Sequence, residues 1–205
     1  MAIEIIQCEQ GTSQWFEARK GIPTASMFKA ILAKGEGKTR KSYMLTLAAE
    51  IITGECGESF QSAAMERGKQ MEEEARDLYA FRHGVQLQRV GFIVNGRMGC
   101  SPDSLIGNAG GLEIKTQRAD LLAETILADK FPTEHIAQVQ GNLMVAEREW
   151  WDLSVHWPKM PRFVKRAVRD EPYIANLRGE INRFNDELDG LVERISRYGK
   201  EAVAT

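Results

Sequence analysis

No stretch of this 205-residue sequence approaches the run of about 20 apolar residues needed to span a bilayer. The opening MAIEIIQCEQ also lacks the basic segment and apolar run of an export signal. A soluble, cytoplasmic chain with no membrane role is expected. Cysteine is scarce: the 3 residues Cys8, Cys56 and Cys100 are far apart and form no CxxC or Cys/His pair, which excludes a disulfide framework. His83, His135 and His156 are scattered and approach no cysteine at ligand spacing, so a zinc-binding regulator is discarded. An excess of charge is missing too. The 27 Lys and Arg nearly cancel the 29 Asp and Glu, giving a net charge of -2, so any nucleic-acid partner must be met by local basic patches. Repeats, low-complexity tracts and linkers are absent, because the punctuation at Gly35–Gly37, Gly54–Gly57 and Gly107–Gly111 is too short to separate one domain from another. One domain over residues 1–205 is expected.

What is present reads as alternating secondary structure. Thr24 or Ser26 is placed to cap a short helix through Ala33, KSYMLTLAAEIIT over Lys41–Thr53 reads as a helix stopped by Gly54, and a further helix spans about Ala63 to His83 before Gly84. From Val85 to Lys115 the short runs VQLQRV, GFIV, GRMGCS and GLEIK predict an antiparallel meander. A helix over Thr133–Ala146 follows, then strands at Trp150–Trp157 and Phe163–Val168. The fold class is therefore α/β, a mixed central sheet flanked by helices. Finally Ile174, Leu177, Ile181, Phe184, Leu188, Leu191 and Ile195 recur at steps of three and four behind Pro172, which predicts a long C-terminal amphipathic helix. That stripe suits either packing on the domain's own core or a seam between copies.

The chemistry is concentrated in Ser101-Pro102-Asp103 and, nine residues further, Glu113-Ile114-Lys115. In a strand, residues two apart share a face, so Glu113 and Lys115 point together while Ile114 points into the core. A turn at Gly107–Gly111 folds Asp103 back beside them. Two converging carboxylates repel, and a hard divalent cation such as Mg²⁺ relieves the repulsion. Beside it, a lysine can orient or deprotonate a water and neutralise charge on a phosphate, which assembles a site for phosphodiester hydrolysis.

Four segments in order, WFEARKGIPTAS at Trp15–Ser26, RGKQMEEEARDLY at Arg67–Tyr79, CSPDSLIGNAGGLEIKT at Cys100–Thr116 and HIAQVQGNLMV at His135–Val145, resemble the lambda-exonuclease family of viral recombination nucleases, within the PD-(D/E)xK superfamily. The resemblance implies a restriction-endonuclease-like core. It further implies that Asp103, Glu113, the Ile114 carbonyl and Glu72 hold two Mg²⁺ ions, which Mn²⁺ can replace, that Lys115 attends the nucleophilic water, and that Gln138 lies against the site. Choosing Glu72 within the acidic run Glu72–Glu74 rests on the family alone. Arg19, Ser26 and Ser101 match residues that hold a 5′-terminal phosphate. Met65 falls where the family places an apolar wedge between bases, although a core role suits it as well; Lys38, Arg40 and Lys41 are either DNA-backbone contacts or a solvated basic turn. The implied activity is 5′→3′ digestion of one strand of linear duplex DNA, leaving 3′ overhangs, by a ring-shaped trimer that works with a single-strand annealing protein. An endonuclease on the same core, or an inactive DNA-end binder that loads the annealing protein, are the alternatives; the intact Asp103, Glu113 and Lys115 set speaks against the second. Segment 35–40 and the region after Trp157 depart most from the family pattern.

Overall fold

The computed structural model describes residues 3–33, 38–56 and 63–200, and, within helix 63–83, side chains only for Gly68 and from Met71 onward. The Met65 side chain, a candidate wedge, lies outside that set. Two sheets organise the chain. Strands β1 (Glu4–Ile6), β3 (Phe92–Asn95) and β4 (Met98–Cys100) form an antiparallel sheet in the order β1-β3-β4. Strands β2 (Leu87–Gln88), β5 (Ser104–Ile106), β6 (Gly110–Thr116), β7 (Trp150–His156) and β8 (Phe163–Val168) form the mixed sheet β2-β5-β6-β7-β8, in which only the β6–β7 pair is parallel. The expected meander over Val85–Lys115 is thus corrected. Its strands divide between the two sheets, because β3 finds its partner in β1, a short apolar segment whose strand character is not legible in isolation.

The helices are α1 (Ser13–Arg19), α2 (Phe28–Ile31), α3 (Lys38–Thr53), α4 (Ala63–His83), α5 (Ala119–Ala128), α6 (Ile136–Val145) and α7 (Glu171–Arg197). Thr24 precedes a short 3-10 turn at Ala25–Met27 but its side chain makes no capping bond. A parallel pair cannot be joined by a hairpin, and α5 and α6 supply the crossover between β6 and β7. The sheet is covered on both faces. Against α4 lie Leu112 and Ile114 with Ala75 and Tyr79; against α6 and α5 lie Trp151, Leu153 and Val155 with Leu143 and Leu122. No helix among the described residues is long and apolar enough to cross a membrane.

In α7, Asp170 accepts a hydrogen bond from the Tyr173 amide at 3.0 Å and Pro172 sits in the first turn, so the helix starts where the sequence implies. Its stripe does not stand free as a seam. Ile174, Leu177, Ile181, Phe184 and Leu188 are buried against Phe28, Ile31, Met44 and Leu47, and Tyr43 stacks on Phe184 at 5.7 Å; only Ile195, near the end, is exposed. Arg40 takes part in the same contact, with its guanidinium forked onto the Glu187 carboxylate at 2.7 and 3.0 Å, so it ties α3 to α7. Lys38 and Lys41 remain exposed in the first turn of α3.

Gly110 and Gly111, expected in the turn, are the first residues of β6. The turn itself is Gly107–Ala109, with Gly107 at φ +53°. The two glycines are needed for a different reason: they pair with Trp150 and Trp151, and a Cβ at Gly111 would stand 2.4 Å from the Trp151 ring. Gly111→Ala is therefore expected to destabilise the protein by about 1–3 kcal/mol through overpacking, read as a lower urea midpoint, whereas Gly107→Asn, which keeps a residue tolerant of positive φ, should cost less.

Candidate nuclease active site

Strand β5 begins only at Ser104, after Pro102, so its pairing with β6 stops at Ser104 opposite Leu112. The next edge amide of β6, that of Ile114, is taken by the Asp103 side chain at 2.5 Å. The PD turn thus places the Asp103 carboxylate where the missing strand residue would have been. Gln10 fixes the bend from behind, donating to the Pro102 carbonyl at 3.0 Å and that of Val90 at 3.2 Å.

Glu113 faces α6 and is only 3 % exposed. A carboxylate so buried is costly unless it is hydrogen-bonded. Gln138 donates to Oε1 at 2.6 Å, Asn142 donates to Oε2 at 3.1 Å, and the Lys115 ammonium sits 2.7 Å from Oε1. Gln138 and Asn142 are four apart on α6 and therefore reach the same point from one helix face. Sequence reasoning found Gln138 and missed Asn142. The i, i+4 spacing opposite a buried glutamate was the signal available.

Burial acts to lower Lys115, but Glu113, Asp103 and Glu72 outweigh it and hold the ammonium above its ordinary value. Burial, then the negative charge of Glu113 and Glu72, pushes the Asp103 carboxyl well above the usual carboxylate range, against the pull of the Ile114 amide and Lys115. Glu72, on α4, is close enough for its charge to be felt at both residues, yet its carboxylate is paired with Arg76 at 2.5 Å. Arg76 also donates to Glu73 at 3.1 Å. Half-buried His135 stands beside Lys115; its burial and the Lys115 charge lower its pKa.

Among the described residues, no group of three or more His, Cys, Asp and Glu side chains stands ready to hold a metal ion. The donor set still fits Mg²⁺, which keeps several waters and needs only one or two carboxylates. Asp103, whose charge is disfavoured by two neighbouring carboxylates, is the group a cation would relieve. Glu72 would have to leave Arg76 to join it.

The three candidate phosphate ligands share one corner without touching one another directly. Arg19 lies over the Trp15 ring at 3.9 Å, and the Trp15 indole N–H donates to Ser101 Oγ at 2.9 Å and to the Gly91 carbonyl at 3.1 Å. Ser26 is exposed, 3.3 Å from the Thr24 hydroxyl, and Thr24 bridges Gly99, two residues before Ser101. Trp15, quoted within its motif but given no role, is the residue that joins Arg19 to Ser101. A cavity of about 150 Å³ opens between Arg19, Thr24, Tyr43 and Glu50.

A PD turn capping the edge of a strand that carries ExK, in a mixed sheet covered by helices on both faces and followed by a long helix, defines a nuclease of the PD-(D/E)xK fold. Residues 14–149 match the YqaJ-like viral recombinase domain, and the chain belongs to that family. It is similar to the alkaline exonuclease LHK-Exo of Laribacter hongkongensis, with 30% identity and a TM-score of 0.84 over 94% of this chain and 100% of that one. LHK-Exo in complex with dAMP gives 31% identity and a TM-score of 0.86 over the same shares. A phage-related exonuclease from Haemophilus somnus 129PT shares the fold at 14% identity, with a TM-score of 0.64 over 85% of this chain and 96% of that one. No curated protein sequence matches the chain.

The Asp103 environment makes a prediction about stability. Its carboxyl holds a proton more firmly in the folded chain than in the unfolded one, so folding becomes less favourable as pH rises from the ordinary carboxylate range through the raised value, and the penalty is then constant. Asp103→Asn removes that penalty. Without divalent cations at pH 8 it is expected to raise the Tm by about 2–4 °C per kcal/mol relieved, and the advantage should vanish near pH 4. Calorimetry at the two pH values checks this; a lower Tm at pH 8 would mean that the bond to Ile114 outweighs the repulsion.

Proposed function

We propose that the protein is a Mg²⁺-dependent 5′→3′ exonuclease that digests one strand of linear duplex DNA and leaves 3′ single-stranded overhangs for recombination. The observation that carries this reading is the Asp103, Glu113 and Lys115 cluster, buttressed by Gln138 and Asn142, in a chain 31% identical to an exonuclease. That relative binds dAMP, the kind of mononucleotide that stepwise digestion releases.

Asp103, Glu113 and the Ile114 carbonyl would hold the metal, with Glu72 completing the set once released from Arg76. When bound, Mg²⁺ polarises the phosphate and makes its water a better nucleophile. Gln138 and Asn142 fix the Glu113 carboxylate before substrate arrives, which lowers the reorganisation left to the reaction. Lys115, held charged by its neighbours, orients the water and donates to the oxygen on which charge grows. Arg19, Ser26 and Ser101 would receive the 5′-terminal phosphate; Arg19 supplies the fork, and Trp15 positions both Arg19 and Ser101. We place the chain in a ring-shaped trimer acting with a single-strand annealing protein, a reading that rests on its resemblance to the lambda-exonuclease family.

End-labelled linear duplex with Mg²⁺ tests the activity. Release of nucleotides from the 5′ end is expected, with relaxed circular duplex untouched; cleavage of the circle would instead make the protein an endonuclease. Asp103→Ala and Glu113→Ala should each reduce hydrolysis by at least ~10³-fold with end binding retained, on the scale of losing a group that stabilises the transition state. On 5′-phosphate and 5′-hydroxyl ends, wild type should prefer the phosphate by about ten- to a hundredfold, the worth of a charge-assisted contact, and Arg19→Ala should lose most of that preference. Equal rates on both ends would remove the phosphate pocket. Light scattering should return about three chains per particle, and a processive monomer would rule out the ring.

A further inference from the structure

Strands β6 and β7 run parallel in register, Lys115 beside Val155 and Thr116 beside His156, so their C-terminal ends lie together. Lys115 faces α6 there, while His156 faces α4. On the α4 side a cavity of about 460 Å³ opens between α4 and the loop joining β7 to β8, lined by Glu74, Leu78, Phe81 and Arg82 of the helix and by His156, Lys159 and Arg162 among others.

Two observations mark it as a binding site. His156 is only 4 % exposed and its Nε2 has no hydrogen-bond partner; the nearest carboxylate oxygen, of Glu74, is 4.0 Å away, too far for a hydrogen bond. Arg162 Nη1 is likewise buried and unpartnered. Buried polar groups in native proteins nearly always have a partner, and both of these side chains line the cavity, so a group bound there is placed to supply one. The second observation is the composition of the rim: Arg82, Lys159 and Arg162 outnumber the single carboxylate of Glu74, and beside them Phe81 is 88 % exposed, its ring offered to solvent at the edge of a cationic pocket.

We propose that this cavity binds a backbone phosphate of a single nucleic-acid strand, accepting hydrogen bonds from Arg162 and His156, with Lys159 and Arg82 flanking it and the adjacent base stacked on Phe81. A phosphate supplies acceptor oxygens and negative charge, and a base supplies the flat face that an exposed aromatic ring takes up; a positive groove with a stacking ring is how proteins hold single strands without reading sequence. The position suits a strand that has passed the catalytic end of β6. The inference goes beyond the proposed nuclease activity and rests on it only for the choice of nucleic acid over an acidic protein segment.

Binding of a fluorescein-labelled oligothymidylate of about 12 nucleotides, within the size such sites cover, is read by anisotropy in EDTA across a salt series. Arg162→Ala should weaken binding about tenfold, and Lys159→Gln should lower the salt slope by about 0.7, the contribution of one phosphate contact on a single strand. Phe81→Ala should weaken binding about fivefold or more with the slope unchanged. Lys159 and Phe81 are exposed, so these two variants carry the test even if Arg162→Ala fails to fold, which thermal unfolding reports. Wild-type affinity and slope in both would overturn the proposal, as would a polyglutamate peptide that binds in an Arg162-dependent way while oligonucleotide affinity stays unchanged. Duplex cleavage with Mg²⁺ is measured in parallel: cutting by wild type with unaltered binding in the variants removes this inference alone, whereas wild type that neither binds nor cuts DNA removes the nuclease reading with it.

Discussion

A carboxylate buried inside a sheet that is covered on both faces sets the terms for the rest of this molecule. Glu113 has almost no contact with water, and only a fixed set of donors makes that burial tolerable: Lys115 two residues on, and Gln138 and Asn142 from one face of α6. Helix α6, packed on β7, must therefore keep this face within reach of β6, and much of the core follows from that seat. Gly141 lets α6 press on Phe28, where a Cβ would come within 2.5 Å of the ring, and Leu143 and Val145 join the cluster that receives α7. The crossover that joins the parallel strands is thus also the clamp that holds the reactive group.

Asp103 is the opposite case. It closes the edge of β6 in place of a strand residue, a structural service, but does so within the field of Glu113 and Glu72. Asp103 has few donors of its own, and burial together with the charges of Glu113 and Glu72 raises its pKa. Such an arrangement gives up some folding free energy to hold carboxylates side by side, the trade that functional sites commonly make.

The regions of this fold written in local pattern were legible from the residues: the alternation of GLEIKT, the stripe of α7 and the length of α4 each needed only periodicity, and the bounds Ala63–His83 and Phe163–Val168 match those in the structure. What depended on partners far away was not. β1 is a strand only because β3 lies beside it, α5 starts without a side-chain cap, and Gly110–Gly111 read as a turn because their need, two tryptophan rings 40 residues later, is invisible in sequence. Asp103, Glu113 and Lys115 came from residue chemistry, whereas Glu72, Gln138 and the Arg19, Ser26 and Ser101 set came from resemblance. Neither route produced Asn142, Trp15 or Arg76, which act on the site through another residue.

Those intermediaries explain how a chain with a net charge of -2 can present itself to an anionic polymer. Its arginines are mostly committed: Arg40 to Glu187, Arg76 to Glu72 and Glu73, Arg97 to Asp189 and Arg166 to the buried Asp152. Each pair cancels locally and falls off within a Debye length of about 8 Å at physiological salt, so the far field is weak whatever the count of basic residues. Among the described residues, cations without a carboxylate at salt-bridge distance include Arg19 stacked on Trp15, Lys38 and Lys41 at the start of α3, and Arg162 with Lys159 beyond the end of β7. Attraction is then short-ranged and depends on position, and it makes the pairing of Arg76 with Glu72 consequential. Arg76 spans Glu72 and Glu73, so were Glu72 to turn toward a metal, Arg76 would still be held by Glu73 and its cation would stay beside the centre.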